Sequence, residues 1–303
     1  MRSSQSNVFL ASIGFVLVVL FGLLAWNIPM HQGHLDHFGS HVLNYDAAYF
    51  PAKAFVTSLF NSSGFVAVQL VSVLFLAAAI TLILSLFTKR KNASFLLISA
   101  LLVLLSQVNF LWLATAQLPI SVTAFAIALI LRITQSDAES KSWISIACFS
   151  MAFILLMLTS AFWPWFILLS MVNRRKPWKA IFIGLGISVA LTFLLVPDFI
   201  QQWSRYFRFQ QTEIFHFQGA SMSGGELSKF YLWRKLFHYF NPILWLLPLV
   251  GLWLNKDSVV KKPETRIWLG LAIVVAFFSF YMPAFGGIGG DQLMPIIIPL
   301  LFI

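Results

Sequence analysis

The segment Asn44-Tyr45-Asp46-Ala47-Ala48-Tyr49-Phe50-Pro51-Ala52-Lys53-Ala54-Phe55 places an acid, two tyrosines and a lysine within nine positions, 45–53. A carboxylate set among aromatic side chains loses hydration in its charged form, so its basicity rises. Such a group can take the proton of a hydroxyl within hydrogen-bond reach. Asp46 can equally serve a structural end. Its carboxylate can accept the free N–H groups of a helix first turn, and Pro51 is tolerated near a helix start. Residue types alone leave these two readings level. The pattern from Ala47 to Phe60, with Lys53 and Thr57 on one face, suits a short helix lying in a membrane interface.

Just upstream, His31, His34, His37 and His41 are spaced by 3, 3 and 4 residues. On a helix they would share a face, and with Asp36 they offer a geometrically possible zinc site. Gly33 and Gly39 oppose a regular helix here, and the spacing matches no standard zinc motif. Loop histidines that are simply polar are the alternative.

A second polar region, 197–235, carries Phe199, Trp203 and Tyr206 at helical spacing, with Arg205 and Arg208 between and beyond them. It suits another interfacial helix. Its aromatic faces can meet lipid or core, or stack on a sugar ring. Arg205, Arg208, Arg234 and Lys235, together with Lys53, are cations suited to a phosphate, which arginine holds bidentately. Their bland alternative is snorkelling to lipid headgroups.

These residues have to be positioned by an unusual chain. Of 303 residues, 59% are hydrophobic and only 10% charged, against about 45–50% and about 25% in soluble domains. That excludes a soluble globular enzyme, a disordered chain and a coiled coil, and implies an all-α polytopic membrane protein. The net charge of +10 reads as basic cytoplasmic loops facing anionic lipid, not as nucleic-acid binding. The lone Cys148 excludes an internal disulfide and reads as a small core residue. The first apolar run, 8–28, lacks a clear small-x-small cleavage site and reads as a retained span.

Runs 8–28, 64–87, 180–196, 236–254 and 267–285 each read as one crossing. The longer runs 93–133 and 143–172 each read as two, with reversals near Thr115–Pro119 and Thr159–Pro164. Only then do Lys89-Arg90-Lys91, Arg132 with Lys141, Arg174-Arg175-Lys176 with Lys179, and Lys256 through Arg266 fall on one side. With Arg2 that puts 14 of 20 Lys/Arg in the cytoplasm. The expectation is a single transmembrane domain, 1–303, of about nine spans plus a partial last one, with interfacial helices in the outer loops 29–63 and 197–235. The stretch Gly219–Gly225 reads as a flexible linker. The apolar stretch after Asp291 is 12 residues, too short to span, so the chain reads as truncated at its C-terminus.

An acid followed by Ala and Tyr, then Ala-Lys-Ala, in the first outer loop resembles the polytopic glycosyltransferases of the GT-C class. These include the protein mannosyltransferases and the aminoarabinose transferases of lipid A. Further similar features are the broken pair of spans around Ser160-Ala161-Phe162-Trp163-Pro164-Trp165 and the run Phe240-Asn241-Pro242-Ile243-Leu244-Trp245-Leu246-Leu247-Pro248. The late Asp291-Gln292-Leu293-Met294-Pro295 looks like the family's Arg-Tyr-x-x-Pro, with Asp-Gln in place of Arg-Tyr. The family's pair of adjacent first-loop acids is here Asp46 alone, between Tyr45 and Ala47.

The resemblance implies inverting transfer of a sugar from a polyprenyl-phosphate carrier to a lipid, protein or glycan acceptor at the periplasmic face of an inner membrane. It casts Asp46 as the base, with Asp36 as its partner acid. Tyr45, Tyr49, Lys53, Arg205, Arg208, Arg234 and Lys235 then surround substrate and lipid phosphate. Some members hold a divalent ion on first-loop acids, so Mg²⁺ or Mn²⁺ on Asp36 and Asp46 joins Zn²⁺ on the histidines as a cofactor expectation. The competing class is a transporter or flippase. That would place ionisable residues inside the spans, whereas the assigned spans carry chiefly Gln69, Gln107, Asn109 and Gln117. A non-catalytic assembly subunit is a third class.

Overall fold

The computed structural model describes residues 2–26, 64–85, 118–135, 142–159, 178–197 and 199–201, together with the isolated helical positions Leu246, Val250 and Trp253. The described residues are helical and include no strand. Five helices are defined: α1 Arg2–Trp26, α2 Gly64–Ser85, α3 Leu118–Gln135, α4 Ser142–Thr159 and α5 Trp178–Leu195. Their compositions explain them. Each is rich in Leu, Ile, Val, Ala and Phe, and α3 has its proline, Pro119, in the first turn, where a missing N–H costs nothing. The end of α5 is set by Pro197, which cannot continue the ladder. The Val196 amide still donates to Thr192 O at 2.8 Å, and the Phe199 amide then closes a turn onto Val196 O at 2.9 Å.

Each helix packs on its neighbour in the sequence of described elements: α1 on α2, α2 on α3, α3 on α4 and α4 on α5. The centre of the row is α3. Its positions 121–124 and 126–131 are all buried, with Ala124, Ala126 and Ala128 admitting close neighbours. Phe75 of α2 meets Phe125 of α3 edge to face, ring centroids 5.3 Å apart. Outer helices show apolar residues on their exposed side as well. These are Phe15, Val16, Val19 and Leu23 on α1, and Phe182, Ile183, Ile187, Leu191 and Leu194 on α5.

Directions follow from contacts and chain length. Gly184 of α5 lies against Ile146, Phe149 and Ser150 of α4. Four residues on, Ser188 donates a hydrogen bond to Ser150 O at 2.9 Å. Further along, the Thr192 hydroxyl donates to Met157 Sδ at 3.8 Å, and Met157 clusters with Val196 and Phe199. Both sequences advance together, so α4 and α5 run parallel. The six residues 136–141 between α3 and α4 reach at most about 25 Å. That is less than the roughly 27 Å rise of an 18-residue helix, so the connection favours an antiparallel course for α3 and α4. In that course the C-terminal end of α3 and the N-terminal ends of α4 and α5 share one end of the group.

Among the described residues one helix, α5, is long and apolar enough to cross a membrane by length and composition. Shorter apolar stretches are Phe9–Leu23, Gln69–Ser85, Ser121–Ile133 and Trp143–Met157. The expected runs 236–254 and 267–285, the first half of 93–133, the second half of 143–172 and both expected outer loops lie outside the described residues, apart from 197, 199–201 and the three isolated positions.

Candidate functional site

The buried polar side chains of the described helices are seven small hydroxyls and one amide. Buried polar positions are Gln69 and Ser72 on α2, Ser121 and Thr123 on α3, Ser145 and Ser150 on α4, and Ser188 and Thr192 on α5. An apolar surround requires each hydroxyl to find an acceptor. Some find it one turn back on their own helix: Thr81 donates to Ala77 O at 2.7 Å and Ser150 to Ile146 O at 2.8 Å. The single Ser188 proton is shared between Gly184 O at 2.6 Å and Ser150 O at 2.9 Å. This back-bonding costs little where no water competes.

Gln69 and Ser72 depart from that rule. Gln69 Nε2 and Ser72 Oγ are buried and have no hydrogen-bond partner among the described residues. Spaced three apart, they lie on one face of α2. Leaving a buried donor unmade costs about 1–3 kcal/mol, which makes this face the place where the described bundle most lacks a polar neighbour. The sequence shows Gln69 as one of few polar residues in the spans. Ser72 is inconspicuous there, and only the three-residue spacing links them.

The acids decide where acid–base chemistry can reside. All ten Asp and Glu of the chain fall outside the described residues, so the five helices contain no carboxylate side chain. Their side-chain cations are Arg2, Arg132 and Lys179. Among the described residues no group of three or more His, Cys, Asp or Glu could hold a metal. The expected catalytic residues Asp46 and Asp36 lie outside the described residues. So do Tyr45, Tyr49, Lys53, Arg205, Arg208, Arg234 and Lys235, and His31, His34, His37 and His41. The structure describes the helices on either side of segment 27–63, α1 and α2, which pack on one another with Gly14 facing Thr81.

No protein-family model, no curated protein and no solved structure matches this chain.

Proposed function

We propose that the chain is a polytopic membrane glycosyltransferase of the GT-C type, moving a sugar from a polyprenyl-phosphate carrier to an acceptor at the outer face of an inner membrane. The observation that carries this reading is the partition of charge. The five helices hold no carboxylate, while Asp36 and Asp46 fall in the sequence between α1 and α2. A transporter coupling protons or binding a polar substrate at mid-bilayer needs ionisable groups within its spans. A transferase working at the interface needs them beside the spans.

Two features support the membrane architecture of about nine spans. A helix in water presents polar residues on its free side, but α1 and α5 present Phe, Ile, Val and Leu. The parallel course of α4 and α5 also agrees with two crossings in 143–172. A chain that leaves along α4 has to return before α5 starts in the same direction.

In the proposed reaction Asp46 accepts the acceptor hydroxyl's proton as that oxygen attacks the anomeric carbon. The bond from that carbon to the phosphate oxygen breaks, and polyprenyl phosphate leaves with the electron pair. Attack from the side opposite the phosphate inverts the configuration. Arg205, Arg208, Arg234, Lys235 and Lys53 supply the positive charge that the departing phosphate requires. Tyr45 and Tyr49 flank the base, and Asp36 is the second acid of the loop. A divalent ion, where one is bound, would be held by Asp36 and Asp46 or by His31, His34, His37 and His41.

Asp46→Asn keeps the shape and removes the base. We expect transfer from a polyprenyl-phosphate sugar in isolated membranes to fall by roughly 10²–10⁴, with protein level unchanged. Full activity in that variant would remove Asp46 from the mechanism.

A further inference from the structure

We propose that Trp143 and Trp178 lie at one level across α4 and α5, and that with Lys179 and Arg132 they form a shelf seated on the phosphates of an anionic bilayer leaflet. The inference rests on the membrane part of the proposed function and is independent of glycosyl transfer.

The level comes from the register of the parallel pair. Residues in contact across α4 and α5 are 38 apart at Ser150–Ser188 and 35 apart at Met157–Thr192. Trp143 and Trp178 are also 35 apart in sequence. Extended one to two turns back from Gly184, the same register sets the two indoles side by side in height. Each lies near the start of its helix and faces outward, Trp143 at 71% exposure and Trp178 at 39%. Trp178 stacks on Phe182, ring centroids 5.9 Å apart, which extends the aromatic surface towards the apolar face of α5.

An exposed indole at the end of an apolar helix is the arrangement that places Trp at a membrane–water boundary, apolar body inward and N–H outward. From Trp178 to Leu195 the 18 residues of α5 rise about 27 Å, close to the roughly 30 Å of a hydrocarbon core. The far end of α5 is bare in comparison, with exposed Leu194 and Leu195 and no cation in its last turn.

Charge identifies the leaflet. Lys179 is exposed beside Trp178, and Arg132 stands in the last turn of α3, at the same end of the group. The flanking sequence adds Lys141, Arg174, Arg175 and Lys176. Segments 132–141 and 174–179 together hold six Lys/Arg against two acids, Asp137 and Glu139. Lys179 beside the Trp178 indole, and the net cationic sequence that flanks these helices, fit anionic phospholipid headgroups, which attract cations lying within a Debye length of the surface.

The test uses the whole chain with its single cysteine replaced, Cys148→Ala, reconstituted in vesicles of three parts phosphatidylcholine to one part phosphatidylglycerol. Nitroxides are placed singly at 143, 151, 178 and 187, and their depth is read from oxygen against nickel-chelate collisions. Positions 143 and 178 should report the same depth at the phosphate level, with 151 and 187 in the hydrocarbon. Depths at 143 and 178 that differ by more than one helical turn, about 5.4 Å, would overturn the shared level. Water exposure at all four sites would instead overturn the membrane reading itself.

For the headgroup, a bimane at A147C is quenched by nitroxide-headed anionic or zwitterionic lipid. The anionic quencher should be preferred. K179Q should reduce the preference by up to about fivefold, the effect of one surface cation, and K179R should keep it. Equal quenching by both lipids in the Lys179 protein overturns the anionic assignment.

Discussion

Gly184 stands at a close approach of α4 and α5. A Cβ built there would meet Phe149 Cβ at 2.8 Å, with Ser150 N at 3.2 Å and Ile146 O at 3.3 Å behind it. Two of these are backbone atoms and the third is the root of a side chain, so none can swing aside. Gly186, in the same helix, would meet nothing within 4 Å. Gly184→Ala should therefore destabilise the fold by about 1–3 kcal/mol through overpacking. Gly186→Ala should be neutral or stabilising by up to about 1 kcal/mol through helix propensity. Thermal unfolding in detergent, followed by intrinsic fluorescence, separates the two; equal Tm values would place the α4–α5 contact elsewhere. Ser188→Ala removes the hydroxyl that reaches Ser150 O and should cost about 0.6 kcal/mol, the average for such bonds between membrane helices. The sequence does not distinguish these glycines. Both sit in the apolar string Ile181–Ser188, and which one faces a partner depends on a helix rotation that a uniformly apolar helix does not encode.

Helix extents were far more legible than helix partners. The run 64–87 is the helix Gly64–Ser85, and 180–196 is Trp178–Leu195. A helix starts at Leu118 and another ends at Thr159, at the edges of the segments 115–119 and 159–164 read as reversals, whose other arms lie outside the described residues. Proline and flanking charge mark such ends locally, since a missing N–H or an unsolvated cation penalises continuation wherever the rest of the chain lies. Pairing has no local marker. Phe75 against Phe125 and Ser188 against Ser150 join segments that composition treats as equivalent. The parallel course of α4 and α5 is testable at this scale with paired cysteines in the Cys148→Ala background. S150C/S188C and M157C/T192C should both link with a short bifunctional reagent, because their partners touch in the same order along both helices. M157C/G184C should not link. Residue 157 lies seven or more positions beyond the α4 residues that contact Gly184, Ile146, Phe149 and Ser150, or about 10 Å of helix rise. Efficient linking of that third pair would indicate an antiparallel pair and undo the register on which the tryptophan level depends.

At the scale of the whole molecule the decisive quantity is the side of the membrane on which each charged segment lies. Every acid of the chain falls outside the five described helices, so the proposed chemistry stands or falls with the placement of segments between helices. Composition made the acid-free, apolar character of the described helices legible, since burying an unpaired carboxylate in hydrocarbon is too costly to leave ambiguous. The relative geometry of Asp46, Asp36 and the cations was not legible, because it depends on contacts far apart in sequence. Sidedness can be read directly. In the Cys148→Ala background, single cysteines at 46, 141, 176 and 220 are exposed to a membrane-impermeant thiol reagent before and after permeabilisation. The parallel α4 and α5 start at one end of the group, so positions 141 and 176 have to respond alike whichever way the protein is inserted. The charge distribution then assigns them to the cytoplasm, with labelling only after permeabilisation. Positions 46 and 220 should label in intact cells whose outer barrier has been opened. If 141 and 176 differ, the helix pair does not cross the bilayer as a parallel unit. If they agree but 46 joins them on the cytoplasmic side, the spans survive and the transferase does not, because Asp46 then faces the leaflet opposite the proposed acceptor.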